Sequence, residues 1–141
     1  MTGSNMIKMK NEFVSYEMAL ALKELGFDEP CFTYYKNDQL SNILELVKNS
    51  EMKNVNNEVD NYISAPTFSQ AFSWFLKKHK LYAVIIPTIT MDWTYLTMTV
   101  VENMIEVPPY KNIKAYDYSI KEEAEQACLL KLIELVKNET K

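Results

Sequence analysis

The side chains that could carry chemistry are few in this sequence and lie far apart. His79 is the only histidine and stands in a lysine-rich segment, where we expect an exposed side chain rather than a catalytic base. Cys31 and Cys128 are the only cysteines, and both occupy apolar patterns typical of small core residues. A nucleophilic site needs a base within hydrogen-bond reach, and a structural zinc site needs four ligands. The sequence predicts neither site.

Acidic residues and glycines add no catalytic pattern. Asp92 and Asp117 could form an acid and base pair, but nothing in the sequence brings their carboxylates to a defined separation. Gly26 is the only glycine beyond the first residues of the chain, so no glycine-rich phosphate-binding loop can form. We therefore expect a protein that is not an enzyme and that uses no metal and no cofactor.

The composition is that of a folded domain. The chain has 141 residues, of which 48% are hydrophobic and 12% aromatic, and its net charge is −4. We expect a disordered leader or tag remnant over residues 1–12, followed by a single domain over residues 13–138. No signal peptide and no membrane-spanning run is visible, which predicts a cytoplasmic protein without a membrane partner.

The first half of the chain predicts a helix, a turn and a strand. Ser15 is placed to cap a helix that Gly26 ends in a Schellman motif. Residues 31–35 read as a short strand. A second, shorter helix is indicated by apolar residues at helical spacing, with Asp38 as its cap; these are Leu40, Ile43, Leu44 and Val47. Residues 48–61 lack any apolar period, and we expect a mobile loop there.

The second half predicts a helix, a hairpin and a long final helix. A capping box from Thr67 to Gln70 opens an aromatic helix. Residues 81–90 and 93–101 form the hairpin strands with a turn at Met91 and Asp92, and residues 104–107 could add a third strand. A final helix covers residues 119–137; its apolar positions exceed half of its circumference, so it lies between the sheet and another helix or forms a dimer contact.

These elements indicate the α+β class. The predicted architecture is a small antiparallel sheet of three to four strands packed with three main helices. Its order is helix, strand, an optional helix, helix, strand, strand, an optional strand and helix.

The outer face of the hairpin is the predicted binding surface. Strand alternation sends Leu96, Met98 and Val100 to one face, which we expect to be covered by helices, and places the remaining aromatic and polar residues on the open face. These candidate binding residues are Trp93, Tyr95, Thr97 and Thr99, with Tyr82 or Tyr35 beside them and Trp74 as a second exposed anchor on its helix. The alternative is that these residue types occur here because they favour β-strands and have no role in binding.

A basic patch at the end of the aromatic helix is the weaker candidate site. Lys77, Lys78 and Lys80 cluster there, where they also complement the helix dipole. The order of elements is also that of the end of a double-stranded RNA-binding domain, but Lys121 is followed by Glu122 and Glu123, which repel phosphate. RNA binding therefore ranks third among the functions we consider, and we do not expect a nucleic acid partner.

Several segments carry a resemblance to known proteins. The segments are residues 13–19 (FVSYEMA), 25–31 (LGFDEPC), 65–67 (APT), Trp74 with Phe75, Lys78 with His79, and 118–124 (YSIKEEA). They resemble a small uncharacterised protein family of gut anaerobic bacteria and their phages or mobile elements. The resemblance implies an accessory protein in a bacterial host cytoplasm, and it defines no catalytic residues.

The leading prediction is a non-enzymatic accessory protein. It binds a host protein, or associates with itself as a homodimer, through the aromatic sheet face or the C-terminal helix. The alternative is a small-molecule protein that binds or sequesters a nucleotide signal, using Lys77, Lys80 or Lys111 beside aromatic rings.

Overall fold

The computed structural model describes residues 12–37, 39–40, 56, 62–101, 104–106 and 118–139. The chain divides into two compact units, Met1–Gln70 and Ala71–Lys141. Each unit contains a three-stranded antiparallel sheet.

The first unit begins with helix α1, Tyr16–Glu24. The Ser15 hydroxyl accepts a hydrogen bond from the Met18 backbone N–H at 3.3 Å, which caps the helix as predicted. At the other end Gly26 adopts a φ of +93°, and the Phe27 N–H donates to the Leu22 carbonyl at 2.9 Å. This bond is the long hydrogen bond of a Schellman motif, so the predicted end of the helix is confirmed.

The first sheet contains strands β1 (Thr33–Lys36), β2 (Gln39–Leu40) and β3 (Tyr62–Ala65), in the order β2-β1-β3. Leu40 therefore lies in a strand, whereas the sequence places it in the second predicted helix; residues 41–47 of that helix lie outside the described residues. Of the predicted mobile loop, only Asn56 is described. Strand β3 was not predicted, because four residues are too few to show an alternating pattern.

Helix α2, Phe68–His79, crosses the boundary between the units. The Thr67 hydroxyl accepts a hydrogen bond from the Gln70 N–H at 3.1 Å, as the capping box predicts. The second unit continues with strands β4 (Leu81–Pro87), β5 (Trp93–Val101) and β6 (Met104–Glu106), in the order β4-β5-β6. The final helix α3, Lys121–Glu139, packs on β4 and β5.

The predicted α+β class, the three main helices and the order of the main elements are confirmed within the described residues. The six described strands form two sheets of three rather than one sheet of three to four. Helix α3 buries most of its apolar residues within the chain; these are Ala124, Cys128, Leu129, Leu132, Ile133 and Val136. Leu130 is the large apolar residue that α3 leaves exposed, at 54%. A single exposed leucine gives α3 little surface for a dimer contact.

Candidate binding surface on the β4–β5 hairpin

Strands β4 and β5 pair antiparallel, from Leu81 opposite Thr99 to Pro87 opposite Trp93. Residues directly opposite each other share one face of the sheet, so the register defines two faces. The Trp93 face carries Leu81, Ala83, Ile85, Pro87, Trp93, Tyr95, Thr97 and Thr99. The Tyr82 face carries Tyr82, Val84, Ile86, Thr94, Leu96, Met98 and Val100.

The Trp93 face is less open than the sequence predicts. Trp93, Tyr95 and Thr97 are all half-buried. Tyr118 extends the sheet beside Trp93, and their backbones exchange two N–H to carbonyl bonds of 2.7 Å. The Tyr95 and Tyr118 rings stack at a centroid distance of 6.3 Å and an angle of 28°. The predicted residues therefore form an aromatic cluster that is partly covered, with Tyr118 as a member.

Tyr82 does not lie beside Trp93 and Tyr95. It is opposite Met98 and shares the Tyr82 face with Leu96 and Val100, so its grouping with the Trp93 face is wrong. That face, which we expected helices to cover, exposes two large side chains, Tyr82 and Ile86, at 37% each. The sequence pattern separates the two faces correctly but cannot say which one is exposed.

Tyr35 belongs to the first unit and has a structural role there. Its hydroxyl donates a hydrogen bond of 2.7 Å to the Val14 carbonyl, and its ring meets Tyr16 edge-on at 5.6 Å. Burial, with a smaller contribution from the nearby Glu17 carboxylate, raises the pKa of Tyr35. The phenol therefore remains neutral and keeps its donor role at physiological pH.

Trp74 is not an exposed anchor, because it is only 2% exposed. Its ring meets the Phe75 ring edge-on at 5.1 Å and the His79 ring at 5.0 Å. His79 is consequently half-buried against aromatic rings rather than exposed as expected. The helical spacing of α2 indicates an apolar stripe but underestimates its width, and Trp74 falls inside it.

The three lysines of the predicted basic patch are exposed. Lys77 and Lys78 lie in the last turn of α2, and Lys80 follows it with a left-handed φ of +57°. Lys80 precedes β4 at the end of the strand opposite to the hairpin turn. Strand β4 has seven residues at about 3.3 Å each, which separate the patch from the turn by about 23 Å, so the two features are distinct sites.

The hairpin tip, residues 88–92, is an ordered loop held by its own hydrogen bonds. The Thr88 N–H donates to the Asp92 carbonyl at 2.8 Å, and the Met91 N–H donates to the Thr88 carbonyl at 3.1 Å. The Thr88 hydroxyl accepts a bond from the Asp92 N–H at 3.2 Å. Thr90 adds a hydroxyl contact of 3.0 Å with Thr88. These bonds fix the conformation of the tip.

The ordered tip carries two large apolar side chains in solvent. Ile89 is 103% exposed and Met91 is 88% exposed. Met91 also has a φ of +68°, a left-handed conformation that costs a residue with a Cβ about 1–2 kcal/mol. Exposed apolar side chains on a strained but ordered loop are typical of positions kept for a function.

Sequence reasoning missed Ile89, Met91 and Tyr118 as site residues. The sequence pattern places Ile89 in the first strand of the hairpin and Met91 in its turn. The available signal was composition, because two large apolar residues beside Thr88, Thr90 and Asp92 are unusual in a turn. Tyr118 directly precedes the predicted cap of the final helix, where an aromatic residue often packs back on the fold.

The thiols do not contribute reactive groups. Cys31 and Cys128 are free and buried. Burial is the main cause that raises the pKa of each thiol to about 12. Both therefore remain protonated and unreactive at neutral pH. Within residues 12–37, 39–40, 56, 62–101, 104–106 and 118–139, no three side chains of the His, Cys, Asp or Glu type come together as metal ligands.

Comparison with known proteins gives no relative. No known protein family, no curated protein and no solved structure matches this chain. Among the described helices, none has both the length and the apolar character that crossing a bilayer requires.

Proposed function

We propose that this chain is a non-enzymatic binding protein whose hairpin tip inserts Ile89 and Met91 into an apolar pocket of a host protein. The observation that carries this proposal is the exposure of both side chains, 103% and 88%, on a loop ordered by its own hydrogen bonds. An ordered loop loses less conformational entropy on binding than a flexible one. The tip is thus preorganised to act as an anchor.

The free energy available from burying the two side chains favours a protein pocket over a lipid surface as the partner. Full burial of two such side chains contributes about 3–6 kcal/mol in total, from about 1.5–3 kcal/mol each. That alone corresponds to weak binding, since a dissociation constant of 1 mM already requires about 4 kcal/mol. A protein partner can add contacts to the half-buried Trp93 and Tyr95 at the base of the tip. A lipid surface lacks such directed contacts, and the chain carries a net charge of −4.

The resemblance of residues 13–19, 25–31 and 118–124 to a protein family of gut anaerobic bacteria and their phages or mobile elements supports a bacterial setting for the partner. The partner is a cytoplasmic protein of a bacterial host, and this chain is an accessory protein of a phage or mobile element. Nucleotide sequestration and RNA binding are the weaker proposals, because Trp74, one of the aromatic residues they could use, is buried.

The test is affinity capture from an extract of an anaerobic gut bacterium with matched variants. The tip variant carries Ile89→Ser and Met91→Ser. Leu130→Ser is the control, because Leu130 is an exposed apolar residue at 54% on α3. We expect a captured protein that the wild type and the control retain and that the tip variant loses. Equal capture by the tip variant, or equal loss with the control, would contradict the proposal.

A further inference from the structure

Strand β4 lies at an edge of its sheet, since the strand order is β4-β5-β6. The Val100 N–H donates to the Lys80 carbonyl at 2.8 Å, and the Thr88 N–H donates to the Asp92 carbonyl at 2.8 Å. Bonded and non-bonded pairs alternate along an antiparallel ladder, so the even-numbered residues of β4 bond to β5. The odd-numbered residues direct their backbone N–H and carbonyl groups to the open edge; these are Leu81, Ala83, Ile85 and Pro87.

The outward backbone groups of β4 have no backbone partner among the residues that the structure describes. Apart from its ladder with β5, the strand makes no backbone hydrogen bond to any part of the chain that the structure describes. Pro87, which has no N–H, occupies one of the outward positions, where its missing donor costs the sheet nothing. An edge with free donors and acceptors is a template for another strand.

Apart from Pro87 at its end, the strand lacks the usual protection against pairing. Natural edge strands carry lysines, prolines, bulges or inward-pointing charges. Strand β4 reads LYAVIIP and contains no charged residue. Its Tyr82 and Ile86 side chains are each 37% exposed on one face. The strand is therefore long and apolar, and no other described strand covers its outer edge.

We propose that two copies of this chain dimerise by pairing their β4 strands antiparallel about a two-fold axis at Val84. In this register Ala83 and Ile85 of each copy exchange backbone hydrogen bonds with Ile85 and Ala83 of the second copy. The Leu81 N–H of each copy donates to the Pro87 carbonyl of the other, the acceptor that proline retains. The two sheets become one continuous sheet.

Side chains and charges both suit a second copy in this register. Tyr82 lies directly opposite Ile86 of the second copy, so two exposed side chains of the strand cover each other. Each copy has Lys77, Lys78 and Lys80 near the Leu81 end and Asp92 near the Pro87 end. Antiparallel pairing places the lysines of one copy near Asp92 of the other. A parallel arrangement would instead place like charges together.

The dimer does not depend on the partner proposed for the hairpin tip. The tip variant with Ile89→Ser and Met91→Ser leaves β4 unchanged and is expected to keep the mass of the wild type. Failure of either proposal is thus distinguishable from failure of the other.

The test is the mass of the full chain in solution, measured by light scattering and sedimentation over a dilution series. We expect a dimer for the wild type and a monomer for Ala83→Pro. This substitution removes the outward backbone N–H of residue 83, and Pro87 of the wild type likewise has no N–H. Ile86→Lys is a second variant that keeps the backbone intact and is also expected to be monomeric. Leu130→Lys is the matched control on α3 and is expected to remain a dimer. Circular dichroism of each variant reports whether it folds.

Amide hydrogen exchange locates the interface. In the wild-type dimer we expect the Leu81, Ala83 and Ile85 amides to be protected, and in Ile86→Lys we expect the same amides to exchange quickly. A wild type that is monomeric at every concentration would overturn the proposal. A dimer that survives both β4 variants, or one in which those amides exchange quickly, would place the interface elsewhere and would overturn it as well.

Discussion

The two sheets of this chain differ in the hydrogen bonding of their polar groups and in the burial of their apolar side chains. In the first unit, the Asn56 side chain donates to the Phe27 carbonyl at 2.9 Å and accepts from the Ser64 N–H at 2.8 Å. Three of the four residues of β3 are buried. In the second unit, one residue of the seven in β4 is buried, and the hairpin exposes Ile89 and Met91.

This difference separates a sheet that holds a fold together from a sheet that has surface left for binding. Both sheets are rich in aromatic and β-branched residues, so composition alone does not tell them apart. Burial and hydrogen bonding distinguish the two sheets. The first sheet uses the Tyr35 hydroxyl and the Ser64 N–H in hydrogen bonds within its unit. The second sheet exposes apolar side chains and, among the described residues, has a backbone edge with no partner strand.

The largest expected effect comes from a matched pair of isoleucines. Ile63 in β3 is 5% exposed, and Ile86 in β4 is 37% exposed. We expect Ile63→Ala to lower the free energy of unfolding by about 2–5 kcal/mol, because it leaves a cavity. Ile86→Ala should cost less than about 1 kcal/mol. Urea unfolding measures both, and equal losses would remove the distinction between the sheets.

Substitutions of Asn56 test whether its side-chain hydrogen bonds stabilise the first unit. Asn56→Ala removes the hydrogen bonds that its side chain makes to the Phe27 carbonyl and the Ser64 N–H, so we expect a loss of about 1–3 kcal/mol in the free energy of unfolding. Asn56→Asp keeps the acceptor for the Ser64 N–H but turns a carboxylate oxygen, which cannot donate, toward the Phe27 carbonyl, so its loss should be at least as large. Thermal unfolding of the three proteins reports the order. If Asn56→Ala matches the wild type, the side chain does not stabilise the first unit.

Each unit contains a residue with a positive φ that a substitution can test, Gly26 in the first unit and Met91 in the second. Replacing the glycine should destabilise the protein, and introducing a glycine should stabilise it. Gly26→Ala should destabilise by about 1–2 kcal/mol, because φ is +93° although nothing lies within 4 Å of an added Cβ. Met91→Gly removes a Cβ at a φ of +68° and should stabilise by up to about 1 kcal/mol. Denaturant midpoints give both signs. Destabilisation by Met91→Gly would mean that the methionine packs on the fold.

The smallest expected effect is the difference in stability between two tyrosine substitutions. Tyr35→Phe removes the hydroxyl that donates to the Val14 carbonyl and should cost about 0.5–1.5 kcal/mol. Tyr82→Phe removes a hydroxyl from a residue that is 37% exposed and should change stability little. Differential scanning calorimetry resolves the two. A larger loss for Tyr82→Phe would reverse the assignment of structural and surface roles.

Local signals in the sequence were enough to predict the main elements. Ser15, Gly26 and the capping box from Thr67 to Gln70 act within a few residues along the chain, so their hydrogen bonds follow from spacing alone. The alternation along β5 likewise separates the two faces of the hairpin correctly.

Tertiary burial could not be predicted in the same way. Which face of the hairpin is exposed depends on what the rest of the chain covers, and Trp74 is buried although it lies off the main stripe of its helix. The exposed tip at Ile89 and Met91 breaks the rule that turns are polar, so the sequence pattern places Ile89 in a strand and gives no reason to expect an exposed binding residue at Met91. Functional positions are where such local rules are expected to fail.

The most direct test of the hairpin tip as the binding surface is site-specific photo-crosslinking. A benzophenone amino acid replaces Ile89 in one protein and Phe32, which is 49% exposed in the first unit, in another. Both proteins are irradiated in the same bacterial extract. We predict a covalent adduct with one host protein from position 89 and none from position 32. An adduct from position 32, with none from position 89, would contradict the account.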